Sequence, residues 1–232
     1  MTPTEAAAYL GISRVFMVCF GNEPRPPFDR ECKAMAAMDE VVWSIVGDAG
    51  CDANPETLGH LDEILRLAGE YPNITGGVFD DFFGFGDRDE RYSPEVLASI
   101  RGRMRGKGLG LWVAVYERNL DDPIGPYMEN IDGIIVGVWN DEDLARLGEM
   151  AAKARKVAPG KKVLMCSYLY YYGMKREFAA EETLGQLDTL AGLVRSGEAD
   201  GVLLAANTVC DLGYEAVGAA KAWLAEHGDE PV

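Results

Sequence analysis

Apolar runs rich in valine, isoleucine and aromatic residues recur along the chain, separated by amphipathic stretches of about 10 to 20 residues with turn signals at both ends. That rhythm is a βα repeat. Strands are predicted near 14–20, 40–47, 74–81, 109–116, 132–139, 162–168 and 200–206, seven in all. Stretches such as Leu109 to Tyr116 and Ile131 to Trp139 are apolar almost without interruption, as befits parallel strands covered on both faces. Between strands, Asn54-Pro55-Glu56 carries a helix-starting cap, a first-turn proline and an early acid, and Leu58, Leu61, Ile64, Leu65 and Ala68 then share one face. Ser93-Pro94-Glu95 repeats the device. Further helices are predicted from Asp141 to Val157, Ala180 to Ser196 and Tyr214 to Glu226, with Gly160 and Gly197 where a helix must stop.

Seven strands alternating with helices suit a TIM-type (β/α) barrel better than an open doubly wound sheet, because no glycine-rich dinucleotide fingerprint follows the first strand. The expected architecture is one α/β barrel domain spanning residues 1–232, since no low-complexity linker marks a boundary. Seven is one short of eight. The segment from Thr2 to Leu10 reads as a helix that would ordinarily follow a strand, so the barrel is expected either to be incomplete or to lack one N-terminal strand. An open seam exposes unpaired backbone and invites a homodimer.

Composition narrows the partners. With 22 basic against 38 acidic residues the formal charge is -16, a field that repels phosphate backbones and anionic headgroups, so neither nucleic acid nor a membrane is an expected partner. No apolar run approaches the roughly 18 to 20 residues of a membrane span. The chain as given reads as cytoplasmic, which says nothing against a leader upstream. Five cysteines at irregular spacing read as reduced core thiols, and with only His60 and His227 there is little from which to build a Cys–His nucleophile or a zinc site. No cofactor and no metal is implied.

The most informative segment is Gly76-Gly77-Val78-Phe79-Asp80-Asp81-Phe82-Phe83, an apolar strand ending in two adjacent carboxylates and two aromatics. A buried unpaired carboxylate costs several kcal/mol or shifts its pKa until neutral, so such a strand tip implies a polar cavity, a metal or a substrate. The aromatics beside it suit a sugar face. In a parallel barrel, functional groups gather at the C-terminal strand ends. They would bring together Asp48, Asp80, Asp81, Glu117, Trp139, Asn140, Tyr168, Tyr170 and Asn207. Side chains alternate along a strand, so Asp80 and Asp81 point to different faces. Asp80 shares its parity with the small or branched Gly76 and Val78 and is the one expected to face the cavity. Asp81 is equally placed to cap the following loop, Glu117 to pair with Arg118, and Asp48 to bond its own turn. Four tyrosines, Tyr168, Tyr170, Tyr171 and Tyr172, crowd one strand end, more than its inward and outward pockets can bury.

The same Asp-Asp segment resembles the strand-end pattern of glycoside-hydrolase-like TIM barrels, and the remainder is similar to a bacterial branch of that superfamily. Trp43-Ser44-Ile45, the run from Leu111 to Tyr116 and Val138-Trp139 share its rhythm. The resemblance implies a carbohydrate substrate and places Asp80 at a strand-end catalytic or substrate-binding acid. Asp80, with Glu117 and then Asp81, is the catalytic candidate, because two carboxyls across a glycosidic bond can divide acid and base roles. Asp48, Trp139, Asn140, Tyr168, Tyr170 and Asn207 are the candidate substrate contacts. Two alternatives stand beside a hydrolase: a non-catalytic carbohydrate-binding or assembly barrel, and a magnesium- or calcium-dependent enzyme using Asp48, Asp80, Asp81 and Glu117 as oxygen ligands.

Overall fold

The computed structural model describes residues 1–51, 58–140, 144–206 and 208–228. Asn207 and the helix starts expected at Asn54 and Asp141 lie outside the described residues. The seven expected strands form: β1 (Arg14–Met17), β2 (Glu40–Val46), β3 (Ile74–Phe79), β4 (Gly110–Tyr116), β5 (Gly133–Gly137), β6 (Lys162–Tyr168) and, after a small hairpin of β7 (Tyr170–Tyr171) and β8 (Arg176–Glu177), β9 (Gly201–Ala205). Their order in the sheet is strictly sequential, β1-β2-β3-β4-β5-β6-β9. This is the order of a (β/α) barrel, and among the described residues β1 and β9 are the unpaired ends of the sheet, so the TIM-type barrel is incomplete.

The described residues group into two compact units, one of Ser13–Val115 with Pro123–Ile134, the other of Met1–Ile12, Tyr116–Asp122 and Ile135–Val232. In the first, β1 to β4 pair in parallel with Trp43 opposite Gly77 and Gly77 opposite Leu111. Helices α2 (Asp29–Ala34), α3 (Leu61–Leu67), α4 (Arg88–Arg91), α5 (Pro94–Arg105) and α6 (Gly125–Met128) connect and cover these strands. Odd positions of β3 face the helices: a Cβ on Gly77 would meet the Ile45 side chain and Met104 of α5. Trp43, Phe79, Leu61, Ile64, Leu97, Ile100 and Met104 are fully buried there. The even face carries Trp112, seated between glycines: a Cβ on Gly76 would lie 3.5 Å from its ring and one on Gly133 would overlap it.

The second unit opens with α1 (Pro3–Leu10), whose capping box joins Thr2 and Glu5 as the Thr-x-x-Glu spacing dictates. Its Ala6 and Leu10 pack with Leu187 of α8 (Ala180–Arg195) and with Ala216, Val217 and Ala220 of α9 (Glu215–His227). Helix α7 (Leu147–Val157) precedes β6, which pairs in parallel with β9. No helix among the described residues is long and apolar enough to cross a membrane.

Candidate functional site

Three aspartates lie at the ends of β2 and β3, and backbone N–H groups of neighbouring loops engage two of them. Asp48 accepts from Gly21 N at 2.8 Å, Gly50 N at 3.1 Å and Cys51 Sγ at 3.1 Å. Asp81 takes a left-handed conformation with φ 42° and accepts from Ala49 N at 2.7 Å, which ties the loop after β3 to the loop after β2. The main chain of Asp80 continues the strand pairing, its N–H donating to Val46 O at 3.0 Å. Its half-buried carboxyl receives the Asp81 N–H and no side-chain partner among the described residues. Burial pushes this carboxyl up to about 7, reinforced by the negative charges of Asp81 and Asp48 and opposed by the Asp81 N–H and the Arg88 guanidinium.

Arg88, the first residue of α4, is 4% exposed and reaches into the two loops. Nη1 donates to the carbonyls of Gly47 (2.7 Å), Asp80 (2.9 Å) and Asp81 (3.3 Å), and Nη2 to those of Asp48 (2.5 Å) and Cys51 (3.1 Å). A shallow hollow of about 260 Å³ opens beside it, lined by Ala49, Cys51, Phe85, Asp87 and Arg91 among others.

The aromatic pair after the carboxylates does not form a sugar face. Phe82 and Phe83 are buried, packed edge-on against each other at 4.8 Å, with Phe82 also against Phe79 at 5.3 Å and Phe83 against Tyr127 at 5.2 Å. After the left-handed turn at Asp81 both apolar rings lie in the interior.

In the other unit the chain leaves β4 through a 3₁₀ turn, Glu117–Asp121, that brings Glu117 against the end of β5. Glu117 is buried, accepts from Asn140 Nδ2 at 2.8 Å and Trp139 N at 3.3 Å, and so bonds across to β5. Its sequence neighbour Arg118 instead lays its guanidinium 4.9 Å from the Tyr116 ring centroid and 6.0 Å from that of Trp139. Trp139 is the hub of an aromatic group, 4.8 Å from Tyr116, 6.4 Å from Tyr168 and 6.2 Å from Tyr172. Its indole N–H is buried and has no acceptor among the described residues. The group continues through Tyr170, 5.2 Å from Tyr172 and stacked on Tyr214 at 5.9 Å.

Two glycines make this group possible. A Cβ on Gly137 would lie 2.5 Å from the Tyr168 hydroxyl and 2.9 Å from the Tyr116 ring, and one on Gly173 would lie 2.6 Å from the Trp139 carbonyl. Gly173 sits in the turn of the β7–β8 hairpin, which therefore rests directly on the end of β5. The four crowded tyrosines separate accordingly: Tyr171 is buried against Phe178, Tyr168 and Tyr170 are partly covered, and Tyr172 is 42% exposed. Tyr172, Tyr214 and Arg118 were not among the sequence candidates, although the excess of tyrosine at this strand end pointed towards the first of them.

All five cysteines are free and buried. One Cys–His proximity does arise, with Cys19 Sγ 3.8 Å from His60 Nδ1, a nitrogen that also lies 3.3 Å from Ser44 O. Burial pushes the Cys19 thiol up to about 12, aided by Cys51, which leaves almost no thiolate for nucleophilic attack. Among the described residues no three His, Cys, Asp or Glu side chains converge as a metal ligand set. The oxygen-ligand alternative built on Asp48, Asp80, Asp81 and Glu117 therefore has no support there.

No protein-family model matches the chain, and no curated protein matches it in sequence. Solved structures do match its fold. A GH18 chitinase from Pseudoalteromonas aurantia superposes with a TM-score of 0.63 at 13% identity, covering 97% of this chain and 95% of that one. The spore cortex-lytic enzyme SleL of Bacillus megaterium gives 0.60 at 14% identity, covering 97% of this chain and 70% of that one. The tryptophan synthase A-subunit of Pyrococcus furiosus gives 0.58 at 11% identity, covering 94% and 88%. The chain thus has a TIM-barrel-type fold, which the chitinase and the cortex-lytic enzyme share with the tryptophan synthase subunit.

Proposed function

We propose that this protein hydrolyses a glycosidic bond and that Asp80 is the proton donor. One observation carries the reading: of the three carboxyls at the ends of β2 and β3, Asp48 and Asp81 are bound by backbone N–H groups of neighbouring loops, whereas Asp80 keeps solvent access and a raised proton affinity. A carboxyl protonated near neutral pH can give its proton to a glycosidic oxygen as the bond to the leaving sugar breaks. The fold likeness to a chitinase and a cortex-lytic enzyme supports carbohydrate as the substrate class.

Glu117, held within its own unit by Asn140 and the Trp139 N–H, is the other carboxyl proposed to act in turnover. Each carboxyl is tested by its own substitution. Glu117→Gln keeps one acceptor for the Trp139 N–H and loses the carboxylate, so turnover falls by a factor of ~10² to 10⁴ with glycan affinity nearly unchanged. Affinity and turnover falling together would give Glu117 a binding role only.

Trp139, with Tyr168, Tyr170 and Tyr172 around it, is the proposed sugar-stacking surface. Trp139→Ala is expected to weaken glycan binding by about 2 kcal/mol, roughly 30-fold in Kd by calorimetry. Hydrolysis is read by screening the protein against glycosides for reducing-sugar release, and a screen with no turnover rejects it. A second reading, a barrel that binds carbohydrate without cleaving it, is favoured by Glu117, whose two oxygens are already occupied by fixed donors. Calorimetric binding that Trp139→Ala abolishes, with no turnover, would establish that reading.

A further inference from the structure

Arg88 stands in the run Asp87-Arg88-Asp89-Glu90-Arg91, where it looks like one more solvated charge. It is instead buried, and it meets five main-chain carbonyls, three from the loop after β2 and two from the loop after β3. These dipoles engage both of its Nη groups but carry no net charge. The guanidinium charge is therefore left to act on the carboxyls around it.

We propose that Arg88 is a positioning residue for Asp80, clamping the two strand-end loops into one rigid seat and supplying the positive charge that lets the buried acid release its proton. The proposal rests on the reading of Asp80 as proton donor. A general acid must hold its proton in the resting state and still surrender it during reaction. Burial and the charges of Asp81 and Asp48 all push Asp80 towards holding, whereas Arg88 and the Asp81 N–H push the other way. Arginine suits the clamp because its planar fork reaches carbonyls on both loops at once, which the single ammonium of lysine cannot do.

The test is a carboxyl titration by NMR on the whole chain with ¹³C-labelled aspartate, the Asp80 signal being identified by its loss in Asp80→Asn. Arg88→Gln removes the charge, and the Asp80 midpoint is expected to rise above the wild-type value by roughly a few tenths of a pH unit. Arg88→Lys keeps the charge, so the midpoint stays near wild type. Its looser seat nevertheless lowers kcat/KM, without moving the pH at which activity is lost. A midpoint that does not rise in Arg88→Gln overturns the proposal, as does an Arg88→Lys protein identical to wild type in both titration and turnover. Failure of both variants to fold also overturns it, because Arg88 would then serve the fold rather than Asp80. Should the wild-type protein cleave no glycoside, the hydrolase reading falls while the titration still decides the role of Arg88.

Discussion

Replacing Asp80 with asparagine lowers glycoside turnover by a factor of ~10² to 10⁴ and, above neutral pH, makes the protein harder to unfold. Both effects follow from one carboxyl. In the folded chain burial and two neighbouring negative charges raise it from an ordinary 3.8 to about 7. Below pH 4 the folded and unfolded chains both carry the proton. Between pH 4 and 7 the unfolded chain gives it up while the folded one keeps it, so stability falls as pH rises through that window and the deficit is complete above 7. Partial solvent access screens the effect, leaving a deficit of ~2 kcal/mol. Asparagine is neutral throughout and removes it. Thermal unfolding should therefore place the variant about 4 to 8 °C above wild type at pH 8, with little difference at pH 4. The activity of the wild type should itself decline above pH 7 as Asp80 loses the proton it must donate. A variant that is inactive yet no more stable at pH 8 would mean that Asp80 is not ionised against the fold, and its role as acid would fail.

Much of this was legible from pattern because parallel strands covered on both faces are written as unbroken apolar runs, and all seven were found near their expected positions. The tips were not. Residues 18–20, 81 and 138–139 continue the apolar or alternating pattern but fall outside the strand pairing, as Phe20 does in a local bridge to Glu23 and Asp81 in its left-handed turn. Strand parity groups Asp80 with Gly76 and Val78, because the alternation is fixed by geometry. It could not say which way Phe82 and Phe83 go once that alternation ends, and they turn into the core. Contacts between distant residues were beyond reach for the same reason: Glu117 bonds Asn140 across to β5 and not its neighbour Arg118. Arg88 is the extreme case. Nothing in a run of alternating charges marks the one whose head group enters a ring of carbonyls, since that ring exists only after β2 and β3 have paired.

A second large effect is expected far from any carboxyl. Gly133→Ala should destabilise the protein by about 2 to 3 kcal/mol, a fall of ~5 to 10 °C in Tm. Gly133 is buried at the start of β5, and a methyl group there would sit no farther than 2.8 Å from three atoms of the Trp112 six-membered ring. That ring cannot swing aside as a flexible side chain would. Phe16 meets it edge-on at 5.4 Å, and a Cβ on Gly76 of β3 would strike the Gly110 carbonyl at 2.7 Å while merely touching the indole at 3.5 Å. On the sheet face away from the helices, Gly133 is thus small because the Trp112 indole occupies its share of volume. Trp112→Phe removes the atoms that the new methyl group would strike. The double variant should consequently lose less stability than the two single variants added together, by at least ~1 kcal/mol in chemical denaturation. Simple additivity would show that the indole does not set the size limit at Gly133.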